Sequence, residues 1–171
     1  MSCLIAYKSG NKIYLGSDGA ATEEDGDIRP IKTKKIFRLG DYLIGYAGSI
    51  RSGQIVQTID PPESIEELVE AIRTKMEEFG CLAVTDASTS LTQSCFIIIY
   101  KDNIYELLSD FQLNEVDGNF TTIGCGAPYA FGAMHVIQEE DSSPSQKIAK
   151  ALKVVSNYHA AVRPPYMVEK Y

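Results

Sequence analysis

The sequence predicts an α+β fold in one domain over residues 1–171, with two β-sheets stacked between two helical layers as a four-layer αββα sandwich. Three observations point to it. Strand-like and helix-like segments come in blocks (four strands, two helices, four strands, two helices) rather than alternating singly, the order expected of sheets covered by helices. The strands follow one another through tight turns rich in Gly, Asn and Asp. The helical segments carry apolar residues at three- and four-residue spacing, so each has one face to bury. A chain of 171 residues suits a single domain and can bury a sizeable core without metals or disulfides.

The elements follow in order. Residues 3–8 alternate and are β-rich, Ser9-Gly10-Asn11-Lys12 reads as a turn, and residues 13–17 complete an opening hairpin. Residues 18–30 are polar, with Gly19, Gly26 and the acidic run Glu23-Glu24-Asp25, and read as a loop. Residues 34–39 and 42–46 form a second hairpin across Gly40-Asp41. A helix is expected over 50–59, stopped before Pro61-Pro62, and a second begins at the capping box Ser64-Ile65-Glu66-Glu67. Ile65, Leu68, Val69, Ile72 and Met76 line one face of that second helix, and Gly80 ends it. Four short strands are expected over 94–100, 103–108, 112–116 and 120–123. Pro128 then suits the first turn of a third helix, and a fourth runs from Ser145 to about Val162, stopped by Pro164-Pro165.

Composition narrows the function classes. Sixteen Lys and Arg against 23 Asp and Glu give a net charge of −7, which argues against a protein whose main task is to hold nucleic acid. No apolar run approaches the roughly 18–20 residues that span a bilayer, and the N-terminus lacks signal-peptide architecture. A cytoplasmic location without membrane association is therefore expected. The cysteines, Cys3, Cys81, Cys95 and Cys125, show no CxxC spacing, and His135 and His159 are the only histidines. This predicts reduced thiols and no metal site.

Ser2 is the first residue that chemistry singles out. Removal of Met1, which a small second residue favours, would place a hydroxyl beside a free α-amine, and an amine with a pKa near 8 can take the hydroxyl proton. Asp18 follows the second strand in Gly16-Ser17-Asp18-Gly19-Ala20-Ala21-Thr22. Lys35 lies in Lys34-Lys35-Ile36-Phe37-Arg38-Leu39, Gly48 in Tyr46-Ala47-Gly48-Ser49, and Cys125 in Gly124-Cys125-Gly126-Ala127-Pro128-Tyr129-Ala130. By themselves, these residues suit Asp18 as the cap of a turn and Lys35 on a solvated strand face.

In order and separation these four motifs resemble proteasome β-subunits and, most closely, the HslV peptidases. The resemblance is strongest over residues 2–49 and 122–133 and weak over 53–93. It implies an N-terminal-nucleophile peptide hydrolase. Ser2 stands in place of the family's nucleophilic Thr, Asp18 in place of the acidic residue beside it, and Lys35 in place of the buried lysine. Gly48 takes the oxyanion-hole position, and Cys125 that of a Ser in the Gly-Ser-Gly turn. Thr22, Ala47 and Ser49 fall where the family lines its substrate cleft. The resemblance also implies homo-oligomeric stacked rings, an ATP-dependent unfoldase, a polypeptide substrate and no cofactor. Departures from the pattern are Ser for Thr at the nucleophile, Cys125, and Pro164, Met167 and Val168 where the proteasome has the Asp, Ser and Gly that support the N-terminus. Two other readings fit the same fold: a non-catalytic structural or assembly subunit, and an N-terminal-nucleophile amidase acting on small amides.

Overall fold

The computed structural model describes residues 2–22, 27–30, 32–84 and 90–171. The chain opens with β1 (Cys3–Ser9), β2 (Lys12–Ser17), β3 (Ala20–Thr22), β4 (Ile28–Pro30), β5 (Ile36–Leu39) and β6 (Tyr42–Ala47), followed by α1 (Ile50–Val56) and α2 (Ile65–Glu78). Then come β7 (Leu82–Val84), β8 (Ser90–Thr92), β9 (Cys95–Tyr100), β10 (Asn103–Leu107), β11 (Leu113–Glu115) and β12 (Phe120–Gly124). The helices α3 (Ala127–Ile137) and α4 (Pro144–Tyr158) and the strand β13 (Met167–Lys170) close the chain. One antiparallel sheet runs β12-β1-β2-β13 and a second runs β11-β10-β9-β6-β5.

The two-residue period of the strands builds four layers. Cys3, Ile5 and Tyr7 of β1 pack outward on Met134, Ile148, Leu152 and Val155 of α3 and α4. Leu4 and Ala6 of the same strand face inward, onto Leu43, Ile97 and Ile99 of the second sheet. On that sheet the pattern reverses: Ile44, Tyr46, Phe96 and Ile98 face outward onto Leu68, Ile72 and Met76 of α2. The order is therefore helices, sheet, sheet, helices, as the block pattern predicts. Burying a Leu or Ile side chain of this kind contributes about 1.5–3 kcal/mol.

Four local readings need correction. Residues 18–30 hold a short hairpin, with β3 and β4 paired from Ala20↔Pro30 to Thr22↔Ile28; Gly26 and the acidic run Glu23–Asp25 lie outside the described residues. α1 ends at Val56 rather than Ile59, because its last turn tightens to i→i−3 bonds from Thr58 N to Ile55 O and from Ile59 N to Val56 O. α4 stops at Tyr158, four residues early, because the Arg163 guanidinium folds back onto the Ser156 and His159 carbonyls and satisfies the helix end. The sequence reading also lacks β7, β8 and β13. The Ser64 hydroxyl caps α2 by accepting from Glu67 N, while a full reciprocal capping box forms at α4 between Ser143 and Gln146.

Candidate active site

Ser2 sits immediately before β1, whose residues Cys3, Leu4, Ile5, Ala6 and Tyr7 are buried, and is itself 4% exposed. Its position is fixed from two sides. The Ser2 carbonyl accepts from the Cys125 thiol (Sγ–O 3.2 Å) and from Gly126 N (3.4 Å). Gly124, at φ +94°, lies so close that a Cβ there would come within 2.3 Å of the Ser2 carbonyl oxygen, so the end of β12 reaches Ser2 only because residue 124 is glycine. On the other side, Cys3 N donates to Asp18 Oδ1 at 2.9 Å.

Asp18 is the hub of the site. Its carboxylate is buried, accepts Cys3 N on Oδ1 and Ala20 N on Oδ2 (3.2 Å), and takes Lys35 Nζ on both oxygens at 2.9 Å. Lys35 Nζ also donates to the Ala20 carbonyl at 2.5 Å. An ammonium has three protons to donate, and these three acceptors match them, so the Lys35 side chain is fixed in place. The ion pair is almost fully sealed from water, with side-chain exposures of 5% and 0%. The adjacent Lys34 is solvent-facing, 64% exposed, with Glu169 at 3.8 Å.

Ser2, Lys35 and Gly48 line one small pocket of about 40 Å³, together with Ala20, Ala21, Tyr46 and Ile50. Gly48 occupies φ +127°, and a Cβ there would fall 2.2 Å from the Gln93 carbonyl oxygen and 2.7 Å from Ser94 Oγ. The turn that carries the chain from β6 into α1 therefore requires glycine. Ser94 fixes the turn from outside by accepting Ser49 N at 3.0 Å.

The three expected cleft residues are placed differently. Ala47 turns its side chain into the space between the sheets, and Ser49 lines a separate depression beside Arg51 and Phe79. Thr22 pairs with Ile28 in the β3–β4 hairpin, and its side chain lies outside the described residues, as does Met1. Sequence reasoning missed Tyr46, 1% exposed, whose hydroxyl has no hydrogen-bond partner among the described residues and whose ionisation burial makes harder. It also gave no role to His159, whose Nδ1 lies 4.0 Å from Cys125 Sγ. Neither was readable locally, since each reaches the site through sheet or helix packing. A larger groove, about 570 Å³, runs along the outer edge of β5 past Phe37, Arg38 and Gln54 and does not include Ser2. Among the described residues no cluster of His, Cys, Asp and Glu could hold a metal ion, and no helix is long and apolar enough to cross a membrane.

No protein-family model matches the chain. It is 24% identical over 161 residues to the ATP-dependent protease subunit HslV of Caldicellulosiruptor saccharolyticus, covering 90% of this chain and 89% of that protein. Among solved structures, BPH of Thiobacillus denitrificans in complex with epoxomicin superposes with a TM-score of 0.80 at 18% identity, over 99% of this chain and 97% of that one. HslV from Trypanosoma brucei superposes with a TM-score of 0.71 at 19% identity, over 98% of each chain. The chain is thus HslV-like: a homologue of the HslV subunits, built on the proteasome-type N-terminal-nucleophile hydrolase fold.

Proposed function

We propose that this protein is a peptidase subunit that hydrolyses peptide bonds through Ser2 once Met1 is removed. One observation carries the reading: Ser2, the buried Lys35 and Gly48 share one pocket, with the lysine locked by Asp18. The name of the HslV relatives, subunits of an ATP-dependent protease, supports the same reading, as does the epoxomicin bound to the BPH structure.

The chemistry follows from the residues. With Met1 attached, the Ser2 nitrogen is an amide and cannot act as a base; without it, the α-amine takes the hydroxyl proton, directly or through a water. The Ser2 oxygen attacks the scissile carbonyl, forming an acyl-enzyme that water then hydrolyses. The Lys35 charge favours the neutral, proton-accepting amine and stabilises negative charge on the Ser2 oxygen. The Gly48 N–H is assigned to the oxyanion of the tetrahedral intermediate. Asp18 ties Lys35 to the backbone of Cys3, next to the nucleophile.

In this reading the subunits assemble into stacked rings in the cytoplasm, and an ATP-driven unfoldase feeds them polypeptide. Mass photometry of the purified protein is expected to give a multimer; a monomer of 18.8 kDa contradicts the compartment. Peptidase activity on unfolded casein and fluorogenic peptides tests the reaction. Wild-type protein is expected to turn over and Ser2→Ala to be inactive, whereas equal turnover by the two would end the assignment.

A further inference from the structure

We propose that the pocket beside Ser2 selects substrates with a small aliphatic side chain on the acyl side of the scissile bond, and that Tyr46 sets the size limit; the proposal rests on the nucleophile reading above. Ser2 and Gly48 border the same cavity. A scissile carbonyl held between the Ser2 oxygen and the Gly48 N–H is bonded directly to the Cα of the residue that precedes the cut. The side chain on that Cα has to enter the space that Ser2 and Gly48 border. The rest of the lining is Ala20, Ala21, Lys35, Tyr46 and Ile50. Lys35 has its three protons on Asp18 and the Ala20 carbonyl, which leaves two alanines, an isoleucine and a tyrosine to receive a substrate. Such a lining favours an uncharged, apolar group.

The cavity holds about 40 Å³. One water-sized group needs about 10–15 Å³, so a side chain of about three or four heavy atoms fills it. Alanine and valine fit; an aromatic ring or a lysine chain does not.

Tyr46 cannot make way for a larger group. Its backbone lies between two neighbours in the second sheet, with its N–H on the Lys35 carbonyl at 3.1 Å and Phe96 of β9 opposite it in register. Its ring rests against α1 at Gly53, where a Cβ would fall 2.2 Å from Cε1 and 2.5 Å from Cζ. Glycine inside a helix weakens it, and here that glycine leaves the room the ring occupies. The Phe37 ring borders it at 6.4 Å between centroids, inclined at 50°. The side chain is 1% exposed and its hydroxyl has no partner among the described residues, so close packing alone holds the ring in place.

The experiment measures kcat/KM of the assembled protein on coumarin-amide peptides that differ only in the residue before the coumarin: Gly, Ala, Val, Phe or Lys. Ala and Val are expected to exceed Gly, which leaves the cavity empty, by about tenfold, and Phe and Lys by about 100-fold. Tyr46→Leu shortens the wall and is expected to raise Phe relative to Ala by about tenfold or more. Ala21→Leu fills the cavity from β3 and is expected to bring Ala and Val down to the level of Gly. Melting temperatures confirm that the variants fold; Ala21 is part-exposed, so Ala21→Leu decides the matter if Tyr46→Leu does not fold. A wild type that takes Phe as well as Ala, or a selectivity unmoved in the folded variants, overturns the proposal and leaves Ser2 as nucleophile. No turnover of any peptide counts against the nucleophile reading and the pocket together.

Discussion

Replacing Lys35 by Met tests how much of the site rests on one buried ion pair. Met keeps most of the side-chain volume and removes the charge, so Asp18 stays behind with two backbone N–H donors and no counter-ion. Removing one partner of a buried pair costs about 3–5 kcal/mol, because the remaining charge is left desolvated. For a domain of this size that lowers Tm by about 6–20 °C, against a total stability of about 5–15 kcal/mol, so the variant remains folded at 25 °C when the wild type lies in the upper part of that range. Lys34→Met, one residue away, loses only an exposed pair with Glu169 at 3.8 Å, worth about 0–1 kcal/mol. Thermal melts of the two variants should differ accordingly. Adding Asp18→Asn to Lys35→Met should recover part of the loss, since the stranded charge is then gone. In peptidase assays at 25 °C, Lys35→Met should lose about 100-fold or more in rate and Lys34→Met should match the wild type. Equal melting shifts or equal rates for the two lysines would refute the assignment of Lys35 to the site.

Two further substitutions probe the pocket. Gly48→Ala forces a Cβ to within 2.2 Å of a backbone carbonyl at a positive φ; it should cost about 1–3 kcal/mol in strain and reduce kcat about 100- to 1000-fold if the turn carries the oxyanion donor, and an unchanged kcat would remove Gly48 from the mechanism. Tyr46→Phe deletes a buried hydroxyl that lacks a partner among the described residues; since such a group costs about 1–3 kcal/mol, the variant should melt about 2–4 °C or more higher, and a lower Tm would show that the hydroxyl is satisfied in solution.

The helical layers and the central strands were legible because local pattern and tertiary role agree in them. The apolar face of α2 is the one its spacing predicts, and β1, β6 and β9 sort their side chains between layers by simple alternation. The β3–β4 hairpin was not legible, since three-residue strands in a polar stretch carry little periodicity. Strand β13 depends on a neighbour distant in sequence: Met167 pairs with Ser17 and Val168 with Gly16. These are the residues that depart from the proteasome pattern, and their backbone brings the tail alongside the Asp18 turn, where Gly19 N donates to the Arg163 carbonyl. At the site, the ion pair of Asp18 with Lys35 could be anticipated only through the family resemblance, since a lone Lys35 on a short strand reads equally as a solvated side chain. The meeting of Cys125 with His159 could not, because it arises from α3 and α4 packing on the same face of β1.

In the proposed reading the mature chain begins at Ser2 and Ser2 is the nucleophile. Intact mass spectrometry of native protein with and without epoxomicin tests it most directly, because the inhibitor's epoxyketone closes its ring only on a hydroxyl and a free amine of the same residue. The expected result is a mass lacking Met1 and one inhibitor adduct per chain, mapped to Ser2 and absent in Ser2→Ala. A mass that retains Met1, with no adduct, would contradict it and leave the chain a structural subunit on the same fold.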